Sequence, residues 1–189
     1  MLPVPPFYSH PVRDENGAMA GGKLLTAHNA GVDRISQAQF FDGVRFSVPA
    51  ATLREFLSGV VAYHDLLKYL TFFQRYLRGD ATVERDLKNH AAGGALVYFL
   101  HHRERAAFTF QDFLGYFLIR GHHRDLWYPA NLNADPLISP AEEKQRRKIL
   151  RRQMNDLRAN AELIRGETGI EVPAEEHLVL GRPLRRHAK

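Results

Sequence analysis

Apolar residues recur at helical spacing along most of the chain. After Gly21-Gly22, the stretch KLLTAHNAGVDRISQAQFF places Leu24, Leu25, Val32, Ile35 and Phe40 at mixed three- and four-residue intervals. Asp42-Gly43 marks a turn. A helix is predicted over about 50–63, where Leu53, Phe56, Leu57, Val60 and Val61 form one apolar face and Ser47 or Thr52 is a possible N-cap. Thr71–Leu77 is aromatic-rich, and Arg78-Gly79-Asp80 is a turn. Residues 88–102 (KNHAAGGALVYFLHH) read as a buried helix with small residues for close packing. Residues 107–120 read as another, carrying Phe108, Phe110, Phe113, Leu114, Phe117 and Leu118. Pro129–Pro140 is a loop, and 141–166 is one long, polar, basic helix.

No alternating strand pattern of useful length is visible, and no internal repeat. The expectation is an all-α fold of about six helices around one core. Residues 1–20, rich in Pro and Gly, are expected to be an extended lead-in. Residues 21–166 form the domain, and 167–189 a loose tail.

Composition narrows the chemistry. The 189 residues are 44% hydrophobic and 25% charged, as in an ordinary globular chain, which excludes wholesale disorder. There is no cysteine, so disulfide frameworks, zinc ribbons and thiol nucleophiles are excluded. No apolar run is long enough to span a bilayer, and the N-terminus lacks a secretory pattern, so the expected location is the cytoplasm. The net charge is +5, and +4 of it falls in residues 140–189. Lys144, Arg147 and Arg151 lie in that basic stretch. They are read either as a solvated helix face or as a stripe that contacts phosphates.

Ten histidines stand against one tryptophan. His28, His64, His90, His122 and His123, with Asp65, fall in or at the ends of the apolar helices. Burying several imidazoles and a carboxylate is costly unless they share partners, and a shared cation is one such partner. Without thiols, the ligands would be imidazole and carboxylate, which suit Mn, Fe, Co or Ni better than Ca. Asp65 has two oxygens and could bridge two ions, a geometry suited to in-line attack on a phosphodiester. His101 and His102 are read as the surfacing end of their helix, and His10, His177 and His187 are given no role.

These segments resemble the HD phosphohydrolase superfamily, and more closely the HD nuclease domain of the CRISPR-associated type I interference nuclease-helicase. The resemblance rests on four segments across about residues 8–165. They are Tyr8-Ser9-His10-Pro11 with Lys23-Leu24-Leu25 and His28; His64-Asp65-Leu66-Leu67-Lys68 with Phe73-Gln74 and Tyr76-Leu77; Lys88-Asn89-His90-Ala91 with Gly94-Ala95; and Gly121-His122-His123-Arg124-Asp125-Leu126. It implies an HD-type helical bundle with a metal site in the core between helices. It also implies a metal-dependent nuclease acting on single-stranded DNA, working with a helicase and an RNA-guided surveillance complex in antiviral defence. By the match, His28, His64 and Asp65 would hold one divalent ion, and Asp65, His90, His122 and His123 a second. Asp65 and Lys68 would be catalytic, with Lys68 touching the scissile phosphate. Gln74, Arg75 and Trp127 are further candidates for nucleic-acid contact.

Two departures accompany the match. Leu67 stands where the family has glycine, and no late Asp matching the family's is found. Asp156 is the one candidate substitute. The chain is therefore expected to be cut short at its C-terminus, to be a fragment of a longer nuclease-helicase, or to be a remnant. An HD phosphohydrolase of nucleotides or small phosphate esters, and an incomplete HD scaffold that only binds nucleic acid or a partner, are the alternative functions.

Overall fold

A computed structural model describes residues 6–39, 41, 45, 47–103, 109–123 and 140–174, with only the backbone for 140–143. Among these are two strands and seven α-helices: β1 (Tyr8–Arg13), β2 (Met19–Leu24), α1 (Leu25–Gln39), α2 (Ala50–His64), α3 (Thr71–Leu77), α4 (Ala91–Arg103), α5 (Phe110–Gly121), α6 (Pro140–Ala159) and α7 (Ala161–Thr168). The architecture is mostly helical, as expected, with a two-stranded antiparallel sheet added.

That hairpin falls largely in the stretch expected as an extended lead-in, and the boundary expected at residue 20 falls inside β2. Neither strand alternates apolar and polar residues, so the periodicity that reveals a half-buried strand is missing. The usable signal lay in the connection. Asp14 Oδ1 accepts the backbone N–H groups of Asn16 and Ala18, and Gly17 takes φ +78°. Gln74 stitches the hairpin to the helical body. Its Oε1 accepts from Tyr8 N (3.0 Å), and its amide donates to the carbonyls of Tyr8 and Lys68 (2.8 Å each).

α2 begins at Ala50 after Pro49, with neither Ser47 nor Thr52 as a side-chain cap. At its other end Asp65 breaks the helix, and a single 3-10 turn, Leu66–Tyr69, follows with every residue buried. α4 crosses α2 closely because it carries glycines. A Cβ on Gly94 would stand 2.6 Å from the Tyr63 carbonyl oxygen, and one on Gly93 would meet the Leu67 side chain. Leu67 therefore fills space that Gly93 leaves open, away from solvent.

The single helix expected over 141–166 is two. Asn160 ends the first, its amide donating to the Tyr69 carbonyl (3.0 Å), and α7 follows with Ile164 buried. The start of the expected loose tail is packed. Gly169 (φ +72°) closes α7, Ile170 is buried, and Arg158 Nε donates to Pro173 O (2.9 Å). The main core gathers Leu25, Leu66, Leu70, Val97, Leu100, Met154, Leu157 and Ile164. α5 departs from its expected burial: Phe110, Phe113, Leu114 and Leu118 are exposed, while Asp112, Gly115 and Ile119 face inward. His102, expected at the surface, is buried. No helix among the described residues is long and apolar enough to cross a membrane.

Candidate metal centre

The elements that meet where α2 stops supply the centre. His28 comes from the first turn of α1, His64 from the last residue of α2, and Asp65 from the break after it. His90 immediately precedes α4, and its carbonyl accepts the Gly94 N–H (3.0 Å). His122 and His123 follow the end of α5. The six residues implied by the resemblance thus come together in space.

They form two groups that share Asp65. His28, His64 and Asp65 make one; Asp65, His90, His122 and His123 make the other, and within each the ligand atoms lie within 4.8 Å of one another. Asp65 Oδ2 faces His28 Nε2 (3.0 Å) and His64 Nε2 (3.4 Å). Oδ1 faces His90 Nε2 (3.2 Å) and His122 Nε2 (3.6 Å). Lys68, one turn on, brings Nζ to 2.8 Å from Oδ2.

Two imidazoles are oriented by their own helices. His64 Nδ1 lies 2.6 Å from Val61 O, and His122 Nδ1 lies 2.6 Å from Ile119 O. A carbonyl can only accept, so each Nδ1 carries a proton, and in the neutral ring Nε2 then presents a lone pair. Such outer contacts fix the tautomer and direction of a metal-ligating imidazole. Inside the second group, His90 Nε2 lies 2.6 Å from His123 Nε2 and 3.3 Å from His122 Nε2. Lone pairs brought this close repel unless a proton or a cation sits among them.

The electrostatics agree with that need. Burial lowers the pKa of His28 and of His123 to about 4, with neighbouring histidines and Lys68 adding to the effect and Asp65 opposing it. Burial also lowers His64 and His90. Neutral imidazoles are the form that binds metal. Burial of Asp65 opposes its ionisation, but the groups packed against it, the Lys68 ammonium 2.8 Å from Oδ2 among them, hold it well below the usual carboxylate range. Asp65 is 1% exposed, and neither oxygen receives a hydrogen bond of acceptable direction, although Lys68 Nζ is at ion-pair distance. An ionised, buried carboxylate whose lone pairs lack directed donors fits a cation. The His/Asp cluster could therefore hold a metal ion.

The remaining candidates divide. Gln74 is corrected: it is 3% exposed with its amide committed to backbone, so it positions the hairpin and Lys68 and does not offer itself to DNA. Arg75 is exposed but engaged locally, with Asp80 Oδ2 at 2.6 Å and Thr82 Oγ1 at 3.2 Å. Trp127 lies outside the described residues. Lys144, Arg147 and Arg151 are exposed on α6, whose opposite side buries Ile149, Gln153, Met154 and Leu157. Asp156, the candidate substitute expected for a late Asp, accepts from Phe72 N (3.2 Å) at the start of α3.

Two residues outside the expected set also bear on the centre. His10, on β1, stacks its ring edge-on to His28 at 5.0 Å, with Nδ1 3.1 Å from Ser9 Oγ. The His-Pro pair was visible in the sequence, but its hairpin was not. Gln153 donates to the carbonyls of Leu87 (3.0 Å) and Asn89 (2.8 Å) and so holds the turn that presents His90. A glutamine within a basic helix gives no such signal in sequence.

In comparisons with protein-family models, curated proteins and solved structures, none matches this chain.

Proposed function

We propose that the chain is a metal-dependent phosphodiesterase of the HD type, a nuclease cutting single-stranded DNA. The observation that carries this reading is one buried carboxylate shared between two groups of imidazole nitrogens, Asp65 with His28 and His64 on one oxygen and with His90, His122 and His123 about the other. Two divalent ions, drawn from Mn, Ni, Co or Fe with Mg possible, are the cofactors of this reading. Bound there, they would supply a hydroxide near neutral pH and offset charge on the phosphate.

The chain's own groups do the rest. Neutral imidazoles donate lone pairs through Nε2, and the carbonyls of Val61 and Ile119 keep His64 and His122 aimed. Asp65 spans both groups and ties them into one unit. Lys68 holds a positive charge beside Asp65, where it can meet a phosphate oxygen. Hydrolysis adds water across one P–O bond of the diester, and the leaving oxygen takes up a proton. The exposed cations of α6 suit a polyanion, and the family resemblance supplies the polymer, a helicase and an RNA-guided complex as partners.

The test is cleavage of circular single-stranded DNA by metal-stripped protein resupplied with Mn²⁺, Ni²⁺, Co²⁺ or Mg²⁺ in turn. Cleavage is expected with at least one ion and is lost in His64→Ala. Binding should weaken as salt rises, because phosphate contacts release counterions. Cleavage that survives His64→Ala, or no cleavage with any ion by folded protein, overturns the reading.

A further inference from the structure

The two halves of the centre are not equivalent. Oδ1 of Asp65 belongs to a group with three imidazoles, His90, His122 and His123. Oδ2 belongs to a group with two, His28 and His64, and that same oxygen already has the Lys68 ammonium at 2.8 Å. Lys68 is itself buried, and its backbone is held: its N–H donates to Asp65 O (2.8 Å) and its carbonyl accepts from Gln74 (2.8 Å). One half thus has four protein ligands and no fixed cation at its oxygen; the other has three and a fixed cation.

Charge makes the inequality matter. Asp65 is the only carboxylate in either group among the described residues. With neutral imidazoles, Asp65 and Lys68 cancel. One dication leaves the centre at +2, and a second would leave it at +4. The repulsion between two dications is four times that between unit charges at the same separation, and burial weakens the solvent's screening. A further anion is needed before both can stay. The substrate supplies one: each diester linkage carries a negative charge, and its oxygens can also accept from an ammonium.

We propose that the Asp65 Oδ1, His90, His122 and His123 position binds a divalent ion on its own, whereas the Asp65 Oδ2, His28 and His64 position fills only together with a phosphodiester, whose oxygen draws the Lys68 ammonium away from Asp65. This rests on the nuclease reading for the identity of the anion. Lys68 then has two stations: it stands in for the second ion in the free protein and contacts phosphate in the loaded one. The complete centre is assembled by substrate, which leaves the free protein without a loaded two-ion site.

The experiment counts ions rather than turnover. The metal-stripped full chain is dialysed against Mn²⁺ with and without dimethyl phosphate, a small diester, and bound manganese is measured. One ion per chain is expected without the diester and two with it. His90→Ala should lose the first ion, whereas His28→Ala should keep it and fail to gain the second. Lys68→Met should bind the second ion without diester, at least tenfold more tightly than the parent protein does. Two ions of similar affinity in diester-free parent protein overturn the inference, as does a count of one in both conditions or an unchanged Lys68→Met. Each of those results leaves the nuclease reading standing if DNA is still cut. A folded protein that binds no manganese at all overturns both.

Discussion

α4 has a histidine cluster at each end, and the two clusters handle the same chemistry differently. Ahead of its first residue, His90 meets Asp65, His122 and His123. At its last turn, His102 Nδ1 lies 3.3 Å from Asp112 Oδ1, and His101 Nδ1 lies 2.8 Å from Tyr63 OH. Both carboxylates are buried. Asp112, however, sits in a capping box at the start of α5, where its Oδ2 accepts from Thr109 N and Thr109 Oγ1 (2.7 Å each). Thr109 supplies two donors already aimed at that oxygen. Asp65 has imidazole nitrogens around it and no well-directed donor on either oxygen. The lesson is that residue types do not separate a metal centre from a structural ion pair. The supply of directed donors does: Asp112 Oδ2 receives two from Thr109, whereas neither oxygen of Asp65 receives one, which leaves room for a cation.

The sharpest way to break this comparison is to neutralise each carboxylate. Asp65→Asn is expected to weaken Mn²⁺ binding by more than the roughly 100-fold typical of losing an outer-shell partner, because it alters the one oxygen pair shared by both groups. Asp112→Asn should leave Mn²⁺ affinity unchanged while lowering stability by about 1–3 kcal/mol. Calorimetric titration with the metal and chemical denaturation of both variants decide it. Equal loss of metal affinity in the two would erase the distinction.

The second test is acid. His28 and His123 titrate near 4 in the folded protein, against an ordinary 6.5. Between those values the unfolded chain binds more protons than the folded one, so stability falls as pH falls. The metal-free protein should hold its full stability above about pH 6.5 and lose it progressively toward pH 4, as followed by its thermal midpoint. His28→Ala should flatten part of that slope. A midpoint that does not move across this window would mean that these imidazoles are not held neutral.

The smallest effect expected is at the closed cluster. Thr109→Ala removes the capping hydroxyl of α5 and one donor to Asp112, and should cost about 1 kcal/mol with metal binding intact. Urea unfolding measures the first, and a manganese titration the second. A shift in metal affinity would show that the two ends of α4 are coupled.

Much of the candidate site was legible in the chain. His28, His64, Asp65, His90, His122 and His123 are all chemistry-bearing residues at the edges of apolar helices, where a periodic pattern stops and a polar group must be accounted for. The helix over 50–63 was legible for the same reason, since an amphipathic repeat reports which face is buried, whereas 71–77 read only as aromatic-rich and the structure makes it a helix. Less could be read where burial is set by a distant partner. Gln74 looked like a contact residue because it follows Phe73 beside the HD segment, yet the hairpin consumes its amide. His102 looked like a helix end reaching solvent, yet α5 brings Asp112 to it. His10 had no role until β1 laid it against His28.

What the sequence by itself determined is the inventory: helices from the 3.6-residue repeat, imidazole and carboxylate as the only ligand chemistry, and an Asp next to a His at the end of a helix. These are local properties, set by neighbours within a turn or two. What only the tertiary structure decided is the sharing. Oδ1 and Oδ2 of Asp65 face different histidine groups because Gly94 lets α4 approach the end of α2, and because Leu67 packs into the room beside Gly93. Whether a buried group finds a donor depends on directions in space between residues far apart in the chain, and no spacing along the chain encodes that.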